Sequence, residues 1–566
     1  MAHRILGARS HKKRLNSAEP QPTSWDNGTA GLENFTELQS LCVRAEQSHV
    51  QSLVAGYNKE VKLFLTQEGD VALEGDFIEA RQGTNVQVLL HEGKQIKARV
   101  DQCQWDGFPH TTLTASDGTQ IPPGSYQLVW KWDWSHFDKV RKGLHANLNK
   151  PSLALWSVVC ANQLYVSPRT TLDPNVWVAL NTLTGEQRDA VAACGTHRII
   201  LLQSGPGCGK TLTGASMTYV LSCSTRTVVL VAKTNSALIE LAQRVKERFN
   251  IDVVRVYASS VPQDKRLATL TDFDDLPKDK RSAIKVLAAT PVGFCKDSVA
   301  DLMFDWGLFD EATTLNEADV AIVLKRVRYG SIFIGDMRQG RPFVLSELAR
   351  VKSFDRSPFH RLAAAGVAVF NLTRQFRMHP LLLTVPNAHL YENTLESGVT
   401  AQDRISQLTN GIPVRMVNVV GREARHQHGY SAFNRTEAVA CIEEVQRLLQ
   451  QSVPLAKITV LCFYRAQNEE IKKLAKETVP GLEVATVAAY QGREQEYLIL
   501  SLCRSNMEMA IGIVSDVQWI SVALTRARRG LIIVADQETI RSCATWREVL
   551  KDYNMLSSPV SPLEEG

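Results

Sequence analysis

The chain has no two cysteines at C-x2-C or C-x4-C spacing, although its 11 cysteines run from Cys42 to Cys543. That excludes the common zinc modules, and an odd count without secretory context favours reduced thiols over a disulfide framework. No apolar run reaches about 18 residues, so no membrane-spanning helix is expected. Aromatics are sparse, at 7%, and no tract is biased enough for a fibre or for wholesale disorder. Excess charge is almost absent from the body of the chain. The net charge of +5 comes entirely from Arg4, Arg9, Lys12, Lys13 and Arg14 in the first 18 residues, leaving 59 bases against 59 acids. Net charge therefore does not mark a nucleic-acid binder, although one groove can still be basic. The cluster HKKR at 11–14 reads as a disordered basic tail, with a nuclear signal or an organellar presequence as alternatives.

What is present divides the 566 residues into several units. A tail over 1–34 precedes a stalk helix over 35–58. Residues 59–130 read as short strands broken by Gly, Asp and Pro, which predicts a small β-barrel. Stalk and linker helices are expected over 131–182, and the alternating tryptophans Trp130, Trp132 and Trp134 are expected to face a core. From Leu183 the texture becomes apolar strand followed by helix. HRIILLQSG, TRTVVLVAKT, IKVLAAT and SIFIGD form one set of doubly buried strands, and KITVLCFY, LEVATV, EYLILSLC and GLIIVA form another. The expected fold is α/β, with two parallel-sheet P-loop domains in tandem over 183–345 and 346–560, and a short tail over 561–566. The basic run KRVRYG at 325–330 is expected to be a solvated helix end.

The chemistry begins at QSGPGCGKTL, residues 203–212, between a strand and a helix. Gly205, Gly207 and Gly209 allow a loop whose backbone N–H groups cradle polyphosphate. Lys210 would reach the β and γ phosphates, and Thr211 would ligate Mg2+. Ser204 stands where the strict pattern has glycine. In GLFDEATTL, Asp310 is placed to hold the ion through water and Glu311 to activate an attacking water. SIFIGDMRQGRP adds Gly335, Asp336 and Gln339 at a strand end, where Gln339 can sense the γ phosphate. RQFRMHP, 374–380, then offers Arg374 and Arg377, and SVALTRARRG offers Arg526, Arg528 and Arg529. Arginines brought to a phosphate loop from elsewhere in the chain stabilise charge that builds up in phosphoryl transfer, and their departure opens a cleft. His379 reads as a local hydrogen-bond partner.

In this order, LNTLTGEQRDAV, QSGPGCGKT, FDEA, GDMRQGRP, LTRQFRMHPLLLTVPNAHLYENTL, ITVLCFYRAQ, VATVAAYQGREQEYLILSLCRSN and SVALTRARRG resemble the motifs of superfamily 1 helicases of the up-frameshift class. The likeness covers about 125 to 535 and implies two RecA-like motor domains. It further implies that Arg377 and Arg526 contact the γ phosphate, that Gln187 and Tyr464 hold the base, and that Glu494 lies near the ribose. Thr234, Asn235 and Thr290 would touch a single strand laid across both domains. The implied activity is ATP- and Mg2+-dependent 5′ to 3′ translocation or unwinding on single-stranded RNA, with DNA left open as a second substrate. A monomer in the cytoplasm is expected, the nucleus being the alternative.

The chain departs from the family pattern at Ser204, Ala488, Phe463, Gln518 and Ser521, and at Lys233 and Thr234. None removes a phosphate, metal or base-activating group, so hydrolysis is expected to survive. Ala488 and Ser521 lie in segments that relay between RNA and ATP, so any loss is expected in coupling. The competing reading is an ATP-gated nucleic-acid clamp with little unwinding. A ring-forming protein remodeller fits less well, because the chain carries its own candidate arginines.

Overall fold

The computed structural model describes residues 29–557 except 56–58, 66–70, 75–84, 90–94, 106–108, 116–123, 131–134, 146–152, 160–173, 257–269, 345, 409–410 and 426–430. The basic tail, and Trp132 and Trp134, lie outside the described residues, as does the side chain of Trp130.

A helix over Thr29–Ala55 leads in, burying Phe35, Cys42 and Val43. The carboxylate of Glu46 on this helix accepts from the Ser346 N–H at 2.7 Å, which ties the leading helix to the middle of the chain. Six strands follow, Lys59–Leu65, Val71–Glu74, Asn85–Leu89, Gln95–Trp105, Pro109–Ala115 and Gly124–Trp130, and their backbones pair into a closed barrel. Every pairing in it is antiparallel, and the fourth strand bulges between Val100 and Gln102. Closure leaves no open sheet edge.

The larger sheet has eight strands in the order Thr271–Asp272, Val253–Arg255, Val286–Ala289, Val228–Ala232, Phe304–Asp310, Val327–Gly335, Ile199–Ser204 and Val369–Leu372. All its pairings are parallel. Parallel strands joined by crossover helices are covered on both faces, and alternate residues show it. Ile200 and Leu202 enter one apolar cluster while Ile199 and Leu201 enter another on the opposite face. The second sheet is also parallel, in the order Val414–Asn418, Ala527–Ala535, Gln495–Ser501, Ile458–Cys462 and Glu483–Thr486.

Two expectations need correction. The first sheet does not end near residue 345, because Val369–Leu372 pairs with Ile199–Ser204 as its last strand. That strand is short and only partly buried, so its sequence carries no strong apolar signal. The chain crosses to the second sheet in the stretch that follows it. The run KRVRYG is not a solvated helix end. Lys325 is buried, with its ammonium on the Leu144 carbonyl, and burial pushes its pKa down to about 8. The guanidinium of Arg326 stacks 3.5 Å from the Phe294 ring centroid. The aliphatic stems of these bases supply apolar cover that their charge conceals in the sequence.

The two sheets are not separately packed. One apolar cluster runs from Leu202 and Ile334 of the first, through Met378, Leu382 and Tyr391, to Leu500 and Leu531 of the second.

Candidate active site

The strand Ile199–Ser204 ends in the glycine loop, and the helix Lys210–Cys223 begins directly after it. Gly207 and Gly209 have φ of 74° and 88°, in the left-handed region that glycine occupies without strain. A Cβ at Gly207 would stand 2.5 Å from Cβ of Arg377, and one at Gly209 would stand 2.5 Å from Nε2 of Gln187. Ser204 is buried, and its hydroxyl donates to the Gly205 carbonyl at 3.2 Å, so the departure from glycine is absorbed locally. Gln187 serves twice. It closes a capping box with Thr184 at the helix Gly185–Ala192, and its Nε2 donates to the Cys208 carbonyl at 3.0 Å.

Around this loop lies a cleft of about 410 Å³ lined by Gly207, Gly209, Lys210 and Thr211 from the loop side. Asp310, Glu311 and Gln339 enter it from two other strand ends of the first sheet, and Arg377, Glu494 and Arg526 close it from the far side. Glu311 is held at φ 46°, a left-handed conformation that a residue with a side chain rarely adopts, and this aims its carboxylate at the loop. Lys210 Nζ stands 3.5 Å from Glu311 Oε1. Burial raises the Glu311 carboxyl, but Lys210 and Arg526 outweigh it and bring the group below its ordinary value. Asp310 is shifted the other way, by burial and by the Glu311 charge, with Lys210 opposing. The two adjacent carboxyl groups are thus pushed in opposite directions, Glu311 toward its ionised form and Asp310 toward its protonated form. Glu311 Oε2 is buried without a hydrogen-bond partner.

The donor set suits a small hard cation. Magnesium takes few protein oxygens and completes its shell with water and substrate phosphates, and the Thr211 hydroxyl and Asp310 carboxylate share this cleft. Among the described residues no group of three or more His, Cys, Asp or Glu is arranged to hold a metal by itself.

A buried polar network connects the cleft to both sheets. Gln339 Nε2 donates to the Tyr391 hydroxyl at 3.2 Å, and that hydroxyl donates to Asp336 Oδ2 at 2.8 Å. Ser521 Oγ lies 2.9 Å from the same hydroxyl. Arg526 Nη2 donates to Gln339 Oε1 at 2.8 Å. Tyr391 was not singled out by sequence reading, and only its place in the conspicuous LYENTL segment hinted at it. Ser521, which departs from the motif pattern the chain resembles, thus joins the network of Tyr391, Asp336 and Gln339.

RQFRMHP is the crossing between the sheets. At one end the Phe376 N–H donates to the Gly207 carbonyl at 2.9 Å, and at the other the His379 N–H donates to the Arg528 carbonyl at 2.9 Å. Arg377 is held between them by Glu494 Oε2 at 2.5 Å and by the Thr525 carbonyl at 2.9 Å. Arg374 is exposed over the Phe376 ring, 5.9 Å from its centroid. His379 caps the helix Pro380–Leu390, its Nδ1 accepting from the Leu381 N–H at 3.0 Å.

Some candidate residues fall elsewhere. The Tyr464 hydroxyl donates to the Ile511 carbonyl and receives Arg504, both at 3.0 Å, and Tyr464 does not line the phosphate cleft. The aromatic residue bonded to the loop is Phe376. Thr234 caps the helix Asn235–Phe249 and lines a neighbouring cleft, whereas Thr290 accepts from the Gly293 N–H at 3.1 Å and lines neither. Sequence reading missed Glu240 and Arg244, which enter the phosphate cleft one turn apart on that helix.

Two models described as "AAA domain" match residues 187–344 and 354–538, and the second match includes the crossing. ATP-dependent helicase upf1 of Schizosaccharomyces pombe is 29% identical over 486 residues, 75% of this chain and 52% of that protein. The chain is similar to up-frameshift helicases. ATP-dependent helicase NAM7 of Saccharomyces cerevisiae is 30% identical over 65% of this chain and 43% of its own length. Regulator of nonsense transcripts 1 of Caenorhabditis elegans is 29% identical over 68% of this chain and 41% of its own. The chain spans about half the length, or less, of these up-frameshift relatives. The solved arterivirus nonstructural protein 10 helicase aligns over 85% of this chain and 77% of its own at 13% identity, with a TM-score of 0.38.

Proposed function

We propose that this chain is an ATP-dependent motor acting 5′ to 3′ on single-stranded RNA, with DNA as a second substrate to be tested. One observation carries the reading: a single cleft holds Lys210, Thr211, Asp310 and Glu311 together with Arg377 and Arg526. Arg526 directly precedes a strand of the other sheet.

Thr211 and Asp310 would hold Mg2+, which when bound draws charge from the β and γ phosphates. Lys210 binds those phosphates, and Glu311, kept ionised by Lys210 and Arg526, orients and deprotonates the attacking water. Arg377 and Arg526 stabilise charge on the transferred group. Gln339 registers its loss through Tyr391 and Ser521. Gln187 faces the base side of the loop, and Glu494 the ribose. The single strand would cross Thr234, Asn235 and Thr290. The barrel over 59–130 would serve as an accessory domain on stalk segments over 35–58 and 131–182, with motor domains on either side of the crossing, in a monomer.

The second reading is an ATP-gated clamp. It is favoured by Ala488 and Gln518, both in the cleft beside the ATP site, where the family carries an aspartate and an arginine. Steady-state ATP hydrolysis with and without single-stranded RNA separates the two when paired with opening of a 5′-tailed duplex. RNA-stimulated hydrolysis abolished in Glu311→Gln, with duplex opening, is expected. Binding without stimulation would sink the motor and leave the clamp.

A further inference from the structure

The first sheet has a further recess at the end away from the nucleotide cleft, a pocket of about 540 Å³ near the starts of the strands Val253–Arg255 and Val286–Ala289. The helices Lys210–Cys223 and Asn235–Phe249 run between the two sites. Lys210, Thr211, Glu240 and Arg244 line the nucleotide cleft, while Tyr219, Ser222 and Cys223 line the pocket together with Asn250, which caps the second helix. The last turns of the helices are clasped where Tyr219 stacks on Phe249, with ring centroids 4.5 Å apart. Two observations point to a ligand. Ser222 lines the recess although it is only 8% exposed, and its Oγ has no hydrogen-bond partner. A buried hydroxyl left unpaired is costly and is ready to meet a polar atom supplied from outside. Cys223 beside it is, among the described residues, the one exposed cysteine. Burial pushes the thiols of Cys194, Cys208 and Cys462 up to about 12, which leaves them inert at neutral pH.

The charged residues of the lining are Lys280, Lys285 and Asp252, set among the apolar Ile251, Leu276 and Ile284. Two cations and one anion complement each half of glutathione disulfide, which carries two carboxylates and one ammonium at neutral pH. The volume suits a ligand of that size. We propose that this pocket takes up glutathione disulfide and that Cys223 receives one glutathione from it as a mixed disulfide. The Cys223 thiol loses its proton to solvent, and its sulfur attacks one sulfur of the disulfide. The new S–S bond forms as the old one breaks, and the other glutathione departs as a thiolate that regains a proton. One disulfide and one thiol enter and leave, so no further oxidant is needed. Cys223 closes its helix, where the partial negative charge opposes a thiolate, and the two lysines supply charge of the other sign. The attached tripeptide would wedge against the clasped helix ends and shift Lys210 and Arg244 on the same helices. That consequence rests on the motor reading, whereas the exchange at Cys223 does not.

The test is incubation of the full chain with glutathione disulfide, read by intact mass, peptide mapping and steady-state ATP hydrolysis. Addition of a single glutathione, mapped to Cys223 and reversed by dithiothreitol, is expected. Hydrolysis should fall in step with the adduct and recover on reduction. Cys223→Ser should lose the adduct and keep its hydrolysis under the same treatment. Lys280→Gln combined with Lys285→Gln should slow the reaction with glutathione disulfide roughly fivefold more than the reaction with 2-hydroxyethyl disulfide, which has no charge to read. Modification spread evenly over Cys223, Cys295 and Cys543, or lysine variants that slow both disulfides alike, would overturn the glutathione site. Full modification of Cys223 with unchanged hydrolysis would overturn its link to the nucleotide cleft. Absence of hydrolysis before any treatment would overturn the motor reading instead, and mass and mapping would still decide the site.

Discussion

Arg526 Nη2 donates to Gln339 Oε1 at 2.8 Å, joining the residue before the strand Ala527–Ala535 of one sheet to the turn after the strand Val327–Gly335 of the other. Both side chains are buried, and burial together with nearby Arg377 pushes the guanidinium down to about 10, still charged near neutral pH. In the proposed motor, a charged donor on Gln339 would let each domain report to the other. Arg526→Ala is expected to lower the turnover of ATP on the order of 10³-fold. Nucleotide affinity, read by a fluorescent analogue, should change far less. Arg526→Lys should not rescue, because a point charge cannot keep contact with Gln339 and a phosphate together. Rescue by lysine would show that charge alone suffices.

Gly207 is fixed by geometry more than by chemistry. Its φ is 74°, and a methyl there meets Cβ of Arg377 at 2.5 Å. Gly207→Ala should displace RQFRMHP from the loop and reduce nucleotide binding at least tenfold. Gly366→Ala is a matched control, with φ of 83° but nothing within 4 Å of the added carbon. The control should cost only backbone strain, about 1–2 kcal/mol in a denaturant melt. Equal effects at the two sites would mean that the contact with Arg377 is unimportant.

The Tyr391 hydroxyl joins Asp336, Gln339 and Ser521 in a buried setting. Tyr391→Phe keeps the ring but strands these partners, and a loss of about 1–3 kcal/mol in unfolding free energy is expected. RNA stimulation of ATP hydrolysis should fall by more than the basal rate. If both fall in proportion, the hydroxyl supports structure without relaying a signal.

Glu437 gives a pH dependence of stability. It is fully buried, with Oε2 accepting from Ser501 Oγ at 2.7 Å and from the Cys503 N–H at 2.8 Å, while Oε1 has no partner. Burial pushes this carboxyl from 4.5 up to about 8. The folded protein therefore keeps a proton that the unfolded chain releases. The associated stability is full below about 4.5 and is lost as pH rises through about 8. Glu437→Gln should flatten the decline of Tm across that window, seen by thermal melts at a series of pH values. Parallel profiles for variant and parent would show that Glu437 does not titrate there.

The sequence alone determined Ile199–Ser204, Val228–Ala232, Val286–Ala289 and Val327–Gly335 of one sheet and four of the five strands of the other, because a strand covered on two faces is written as a short continuous apolar run such as IILL or VVLVA. It also determined the phosphate loop and the acidic pair, since Gly-Lys-Thr and Asp-Glu meet their chemistry within a few residues. Tertiary structure alone decided that Phe376 borders the loop while Tyr464 turns to Arg504, and that Ser521 completes a network around Tyr391. It decided as well that the first sheet closes with Val369–Leu372 and that Lys325 and Arg326 are covered. The reason is physical. Apolar periodicity reports the solvent on each face of a local element, whereas a polar side chain takes its partner from whatever the fold brings within hydrogen-bond reach. For Arg526 that partner is 187 residues away.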